Sequence, residues 1–188
     1  MDKMIQSLVK VLKSLQISFV IIGGIAASLW GRPRMTLDVD LVVIISRNRI
    51  LFFLKSLREV GFKISPSSEP KMIGRVQRGL PVKIRYKKGL SVDLRIASYT
   101  LDHRAMKRAR KIRLFDLSLP VARPEDLIVY KIARLDDLDR ADIKAILARM
   151  GKRLDTSFIR KVGEELVKET QDPKISKNLG EVLSWINQ

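Results

Sequence analysis

The sequence contains no cysteine and a single histidine, His103, among its 188 residues. The absence of cysteine excludes disulfide bonds, thiolate zinc sites and a cysteine nucleophile. One histidine excludes a histidine-rich metal site and disfavours a Ser-His-Asp triad, and we expect His103, in a basic helix, to lie at the surface. Any chemistry must therefore depend on carboxylates, lysines, hydroxyl groups and bound metal ions.

Long uninterrupted apolar segments are also missing. The longest apolar stretch, residues 17–30, is interrupted by Gly23 and Gly24, and it is shorter than the roughly 20 residues that span a bilayer. The amphipathic first segment, residues 1–16, lacks the compact apolar core and small-residue cleavage site of a signal peptide. We therefore expect a cytoplasmic protein with no membrane partner.

Acidic residues are scarce relative to basic ones. The chain has 37 Lys and Arg against 20 Asp and Glu, a formal net charge of +17. Basic residues cluster in residues 104–113, and they alternate with apolar residues in 82–87. For any one cluster, a solvated surface and a groove that follows phosphates are equally good interpretations, whereas the whole surplus favours a polyanionic partner.

Hydrophobic periodicity predicts alternating strands and helices. We expect strands over residues 17–22, 37–45 and 91–96, with further strand-like runs between 62 and 97. Helices are expected over 1–16, 25–30, 49–61 and 99–109, and from Pro124 onward. The fold class is therefore α/β (α+β), a mixed central β-sheet flanked by helices. We expect one domain over residues 1–150 and a C-terminal helical extension over 151–188.

Three carboxylates stand at alternating positions of two predicted strands. Asp38 and Asp40 share one face of the first strand, and Asp93 lies on the corresponding polar face of the second. If the two strands are neighbours, the three anions converge and require a positive charge between them. Oxygen ligands suit a hard cation, Mg²⁺ or Mn²⁺, whose remaining ligands are water and substrate phosphates. An Asp-x-Asp pair alone is more often structural.

Neighbouring residues strengthen the functional interpretation. Gly23 and Gly24 follow a strand and open a short helix, which lets backbone amides approach a phosphate. Lys131 borders the inward face of its predicted helix, so its ammonium either reaches water along an aliphatic stem or contacts a triphosphate. Asp139 and Asp142 share a helix face and can pair with Lys131 or Arg134. We expect Trp30 and Trp185 to be packing residues.

Together these residues resemble the polymerase-beta-like nucleotidyltransferase superfamily, and within it AbiEii-type nucleotidyltransferases and their small uncharacterised relatives. The resemblance covers roughly residues 17–148. It depends on three groups of residues: Gly23, Gly24, Gly31, Arg34, Thr36, Asp38 and Asp40 in the first, Asp93 in the second, and Pro124, Glu125, Asp126, Leu127, Lys131, Asp139 and Asp142 in the third.

The resemblance implies a nucleotidyltransferase fold and a transfer of NMP from an NTP to a hydroxyl group, with release of pyrophosphate. It implies that Asp38, Asp40 and Asp93 are catalytic and hold Mg²⁺ or Mn²⁺. The nucleotide-binding residues would be Gly23, Gly24, Arg34, Thr36 and Lys131. AbiEii-type toxins carry further helical material, so toxin activity and an antitoxin-like protein partner do not transfer directly from the resemblance.

Three functional hypotheses follow. The basic surplus favours an RNA acceptor, such as a tRNA end. The first alternative is a nucleotidyltransferase that modifies a small molecule or a protein. The second is a non-catalytic nucleotide or nucleic-acid binding module on the same fold, against which the intact Asp38, Asp40 and Asp93 argue.

Overall fold

The computed structural model describes residues 1–87 and 89–186, which form a mixed α/β fold. The strands are β1 (Ser18–Ile22), β2 (Asp38–Ile44), β3 (Val82–Arg85), β4 (Ser91–Ile96), β5 (Arg110–Leu114) and β6 (Leu117–Val121). The helices are α1 (Asp2–Ser14), α2 (Gly23–Trp30), α3 (Ile50–Glu59), α4 (Glu69–Gln77), α5 (Thr100–Arg108), α6 (Pro124–Ile132), α7 (Asp137–Met150), α8 (Thr156–Thr170) and α9 (Pro173–Ile186). The fold class predicted from the sequence is confirmed.

The six strands form one sheet in the order β3-β4-β2-β1-β6-β5. Strand β2 runs antiparallel to β1 and parallel to β4, and β1 runs parallel to β6. The last residues of β1 and β6 and the first residues of β2 and β4 therefore lie at the same end of the sheet's strands. Residues at that end come from segments far apart in the sequence.

The two faces of the sheet have different environments. Alternate residues of β2, Val39, Leu41 and Val43, point into the main hydrophobic core. Val42 points to the other face and joins a smaller cluster with Val20. Asp38 and Asp40 share that second face, because side chains alternate along a strand. The carboxylates therefore avoid the main core.

Two helices and one hairpin differ from the sequence-based predictions. Helix α2 begins at Gly23, two residues earlier than predicted, because Gly23 adopts a φ of +62° and turns the chain directly out of β1. Helix α4 occupies a region where only strand-like runs were predicted, although Glu69 and Pro70 are typical helix-start residues. The hairpin of β5 and β6 was missed because its first strand begins with two exposed basic residues.

The C-terminal helices α8 and α9 pack against α6 and against each other. Asn178 of α9 donates a hydrogen bond of 2.8 Å to the carbonyl of Ile132 at the end of α6. The division between residues 1–150 and 151–188 stays a prediction. Within residues 1–87 and 89–186, none of the helices has the length and apolar character that a membrane crossing requires.

Candidate active site

The register of β2 and β4 brings the three predicted carboxylates together. In this parallel pair, Asp40 lies opposite Asp93, and Asp38 lies opposite Ser91. Directly opposite residues of neighbouring strands share a face of the sheet, so Asp38, Asp40 and Asp93 point the same way. The structure therefore confirms the adjacency on which the sequence interpretation depended.

A lysine from the edge strand lies between two of these carboxylates. Lys83 of β3 places its Nζ 3.0 Å from Asp38 Oδ2 and 3.4 Å from Asp93 Oδ2. Ser91 donates a short hydrogen bond to the other carboxylate oxygen of Asp38. Lys83 was not predicted as a site residue, although it belongs to the basic stripe of residues 82–87. Its position beside these carboxylates depends on the antiparallel pairing of β3 with β4, which was not predicted.

Asp40 is held against the glycine pair that begins α2. The Gly24 N–H donates to Asp40 Oδ2 at 3.2 Å. A Cβ at Gly23 would lie only 1.9 Å from Asp40 Oδ2, which is far inside van der Waals contact. Gly23 is therefore required both by its positive φ and by the close approach of the carboxylate.

The charges of the site perturb its carboxylates in opposite directions. Burial raises the pKa of Asp40, and the neighbouring Asp93 and Asp38 raise it further against the hydrogen bond from Gly24. Burial alone would raise the pKa of Asp38, but hydrogen bonds from Ser91 and Lys83 bring it below its usual value. Among the residues that the structure describes, no lysine or arginine forms an ion pair with Asp40, whereas Lys83 lies close to Asp38 and Asp93.

These residues line an open cavity of about 410 Å³. The predicted site residues along its wall are Gly23, Gly24, Arg34, Thr36, Asp38, Asp40, Asp93 and Lys131. Every residue predicted from the sequence to be catalytic or nucleotide-binding thus contributes to one cavity. Their roles in that cavity stay predictions.

Thr36 and Arg34 are fixed before β2 begins. The Thr36 hydroxyl donates to the carbonyl of Asp38 at 3.1 Å and accepts from the N–H of Asp38 at 3.3 Å. The backbone N–H of Arg34 donates to the Ser28 hydroxyl at 3.3 Å. The bond to Ser28 holds the loop against α2, and the bonds of Thr36 hold it against β2, the strand that carries Asp38 and Asp40.

Lys131 belongs to a buried charge network. Its Nζ lies 2.9 Å from Asp139 Oδ1 and 2.8 Å from Asp142 Oδ2, and its side chain is only 6% exposed. The alternative in which its ammonium reaches water is therefore wrong. Arg34 binds Asp142 through two hydrogen bonds, of 3.0 and 3.1 Å, and Arg134 binds Asp139. The predicted pairing of the two aspartates with Lys131 and Arg134 is confirmed.

Sequence reasoning missed a second anchored cation, Arg95. It lies two residues after Asp93 on β4 and lines the same cavity. The buried carboxylate of Asp102 binds Arg95, accepts from the Tyr130 hydroxyl at 2.9 Å and caps the start of α5. The alternation of Asp93 and Arg95 in the sequence could have identified this residue, but its partners lie in other elements.

The donor set is chemically suited to a hard divalent cation. Asp38, Asp40 and Asp93 supply carboxylate oxygens on one face, and the pKa of Asp40 is raised mainly by burial and further by the neighbouring Asp93 and Asp38. Within the described ranges, 1–87 and 89–186, no three Asp, Glu, His or Cys side chains already have the spacing of a metal cluster. The Lys83 ammonium instead bridges Asp38 and Asp93, at a position that a metal cation could take over.

Comparison with known families places this geometry in context. Residues 1–181 match the family described as nucleotidyl transferase of unknown function (DUF2204). No curated protein sequence matches the chain. The closer resemblance to AbiEii-type nucleotidyltransferases is not tested by these findings and stays a prediction.

Several solved structures are similar in fold. Lincosamide antibiotic adenylyltransferase LnuA, in its lincomycin-bound form, superposes with a TM-score of 0.53 at 12% identity, over 78% of this chain and 96% of that chain. An antigenic nucleotidyltransferase-like protein from Paracoccidioides brasiliensis gives 0.50 at 20% identity, over 95% and 92%. The antibiotic-resistance factor ANT(2'')-Ia gives 0.50 at 10% identity, over 90% and 95%. At such identities the likeness shows the fold alone.

Proposed function

The chain belongs to the DUF2204 family of nucleotidyl transferases, and we propose from this premise that it transfers NMP from an NTP to a hydroxyl group of RNA. The observation that carries the proposal is the pairing of Asp40 with Asp93 across β2 and β4, with Asp38 on the same face. Nucleotidyl transfer asks a protein mainly for positioning and for charge, and this cavity offers both.

The proposed reaction is a single displacement at the α-phosphorus. The acceptor oxygen forms a new bond to the α-phosphorus, while the bond from that phosphorus to the α–β bridging oxygen breaks. The electron pair of the broken bond leaves with pyrophosphate. Asp38 and Asp40 lie on β2, whereas Asp93 lies on β4, farther from the glycine pair. We assign Asp93 to orient the acceptor hydroxyl and accept its proton.

We assign Asp38, Asp40 and Asp93 as the ligands of Mg²⁺ or Mn²⁺. When bound, two such ions would neutralise the triphosphate and stabilise the attacking and leaving oxygens. Lys83 holds Asp38 and Asp93 in place through its ammonium. It would give up these contacts as the cations bind, because its half-exposed side chain can swing toward solvent.

The remaining cavity residues are assigned to the nucleotide. Gly23 and Gly24 allow the triphosphate to approach the backbone at the start of α2. Arg34 and Lys131 present positive charge that Asp142 orients from behind. Thr36 fixes the loop that carries Arg34, and its hydroxyl is the additional donor for a phosphate oxygen.

An anionic acceptor fits the charge of the cavity and of the whole chain. Arg95 lies beyond Asp93 on the same face of β4 and is held by Asp102, so it is positioned to meet a phosphate on the acceptor side. The net charge of +17 favours a polyanion over a cationic or neutral acceptor. The cytoplasmic location, a tRNA end as acceptor and an antitoxin-like protein partner stay predictions.

The test is label transfer from each α-labelled NTP, in Mg²⁺ or Mn²⁺, to total RNA and separately to small hydroxylated antibiotics. We expect label in RNA with the wild type and with Asp116→Asn, a control in the exposed turn between β5 and β6. We expect none with Asp38→Asn. Label that enters only the small molecules would overturn the RNA acceptor, and transfer by Asp38→Asn at the wild-type rate would overturn the catalytic assignment.

A further inference from the structure

A second cavity, of about 370 Å³, lies beside α2, α6 and α7. We call it the arginine pocket after the four arginines in its wall, Arg110, Arg123, Arg149 and Arg153. The indole of Trp30 forms part of its apolar wall, and Glu125 is the acidic residue that lines it. The proposed transfer chemistry makes no use of these residues.

The four arginines keep their charge available. Within residues 1–87 and 89–186, none of the four lies within 4.0 Å of a carboxylate oxygen. By contrast, Arg104 and Arg108, which belong to the same basic cluster as Arg110, pair with acidic residues. Glu125 is already engaged by Arg108 at 3.5 Å and by the N–H of Asp155 at 3.4 Å. Within the basic cluster of residues 104–113, Arg104, Arg108 and Arg113 thus pair with acidic residues, whereas Arg110 faces the pocket without one among the described residues.

Backbone carbonyls orient three of these guanidinium groups. Arg153 donates to the carbonyls of Arg149 at 2.6 Å and Met150 at 3.3 Å. Arg149 donates to the carbonyls of Gly31 at 2.8 Å and Leu29 at 3.2 Å, at the end of α2. Arg123 donates to the carbonyl of Arg108 at 2.8 Å. A guanidinium carries five N–H groups, so these bonds fix its direction and leave donors for an anion.

The arginine pocket includes Arg110 at the start of β5, which lies at the same end of the strands as the active-site carboxylates. Ile21 of β1 lies opposite Val121 of β6, and Val121 lies opposite Arg110 of β5. Four strand spacings of about 4.8 Å separate β4 from β5, so the start of β5 is roughly 19 Å from Asp93 across the sheet. A polynucleotide whose end reaches Asp93 can therefore extend past α6 to this pocket within a few nucleotides.

We propose that the arginine pocket binds a backbone phosphate of the RNA acceptor, upstream of its reacting end. This inference rests on the proposed function for the identity of the acceptor. The guanidinium groups match the geometry of a phosphate diester, and the apolar wall at Trp30 suits the adjoining sugar and base. The pocket would give the enzyme its grip on a chain-like acceptor, while the carboxylates of β2 and β4 act on the end of that chain.

The test compares two double variants that remove the same charge. Arg110→Gln/Arg153→Gln alters the pocket. Arg47→Gln/Arg160→Gln is the control and removes two exposed arginines. Arg47 follows β2 at the opposite end of the strands, and Arg160 lies on α8. Binding of a fluorescent 12-nucleotide RNA is followed by anisotropy over a salt series, and thermal melting verifies the fold of each variant.

We expect the pocket variant to bind the RNA about fivefold more weakly at 0.1 M salt, with the slope of log K against log salt reduced by about 0.7, the value for one phosphate contact. The control should stay within about twofold of the wild type. Equal effects of the two variants, no effect of the pocket variant, or no RNA binding by the wild type would each overturn the inference.

Label transfer separates this inference from the proposed function. If the wild type labels RNA but the pocket variant binds it normally, only the arginine pocket is wrong. If the pocket variant loses RNA binding but the wild type labels no RNA, the pocket stands and the proposed acceptor is wrong. When both hold, the pocket variant should raise KM for RNA at an unchanged kcat, because it touches neither the carboxylates nor the nucleotide residues.

Discussion

The carboxylate of Asp40 occupies the space that a Cβ at Gly23 would need, so this position tolerates only glycine without a shift of Asp40. In Gly23→Ala the new Cβ must push Asp40 aside, and a displacement of about 1 Å can cost about a hundredfold in rate. We therefore expect Gly23→Ala to reduce label transfer by about that factor.

A matched control for this substitution is Gly89→Ala. Gly89 also has a positive φ, of +75°, but a Cβ there would lie more than 4 Å from every non-neighbouring residue in the ranges 1–87 and 89–186. Both variants should lose about 1 kcal/mol of stability from backbone strain alone, and Gly89→Ala should keep its activity. Equal activity of the two variants would show that the contact with Asp40 is irrelevant.

We expect the ionised carboxylate of Asp40 to be needed for transfer and also to destabilise the folded protein. Because its pKa is raised in the folded protein, ionisation of Asp40 opposes folding increasingly as the pH rises above 3.8. In a metal-free buffer at pH 7, Asp40→Asn should therefore melt above the wild type while losing transfer. The difference in melting temperature should shrink as the pH falls toward 3.8. A variant that melts lower than the wild type at pH 7 would refute this explanation.

At this scale the sequence predicted the acidic residues and missed their partners. Alternation along two strands was enough to place Asp38, Asp40 and Asp93 on polar faces. Lys83 and Arg95 were missed because their roles depend on which elements become neighbours. Strand order and a carboxylate such as Asp102, which meets Tyr130 from 28 residues away, decide that.

Helices α6 and α7 are joined by ion pairs, and the same ion pairs hold the cavity wall. Burial alone would raise the pKa of Asp139, but hydrogen bonds from Arg134 and Lys131 lower it below its usual value. The stabilisation is therefore present above pH 3.8 and is lost as the pH falls through the lowered pKa. We expect Asp139→Asn to lose about 3 kcal/mol of unfolding free energy at pH 7.

Urea unfolding at pH 7 and pH 3 measures this effect. The gap between the wild type and Asp139→Asn should narrow at the lower pH. The control is Asp137→Asn on the same helix, whose exposed carboxylate lies 3.9 Å from Arg140; it should change stability by less than about 0.5 kcal/mol. A gap that does not depend on pH would assign the loss to packing instead of to charge.

Predictions of elements succeeded where local pattern and burial agreed. β2 is apolar on both sides beyond Asp40, as a central strand must be, and its position was predicted closely. The hairpin of β5 and β6 was missed because Arg110 and Lys111 are solvent-exposed, so the first strand carries no clear alternation. The arginine pocket, which this hairpin helps to form, was missed with it.

The net charge of +17 is a property of the whole molecule, and it predicts how RNA binding responds to salt. Each phosphate contact to a single strand contributes about −0.7 to the slope of log K against log salt. A binding surface that includes one phosphate at Arg95 and one at the arginine pocket should therefore give a slope of about −1.4 or steeper. A fluorescence titration from 0.05 to 0.3 M KCl, taken as roughly the working range, measures it, and a flat response would refute a polyanionic acceptor.

The central claim is that Asp38, Asp40 and Asp93 act as one catalytic unit in nucleotidyl transfer. The most direct measurement is the rate of label transfer in Mg²⁺ for the three single Asn variants and the triple variant. Residues that act as a unit are not additive, so each single variant should lose at least about a thousandfold and fall close to the triple variant. A single variant with the wild-type rate, or losses that simply multiply, would contradict the account.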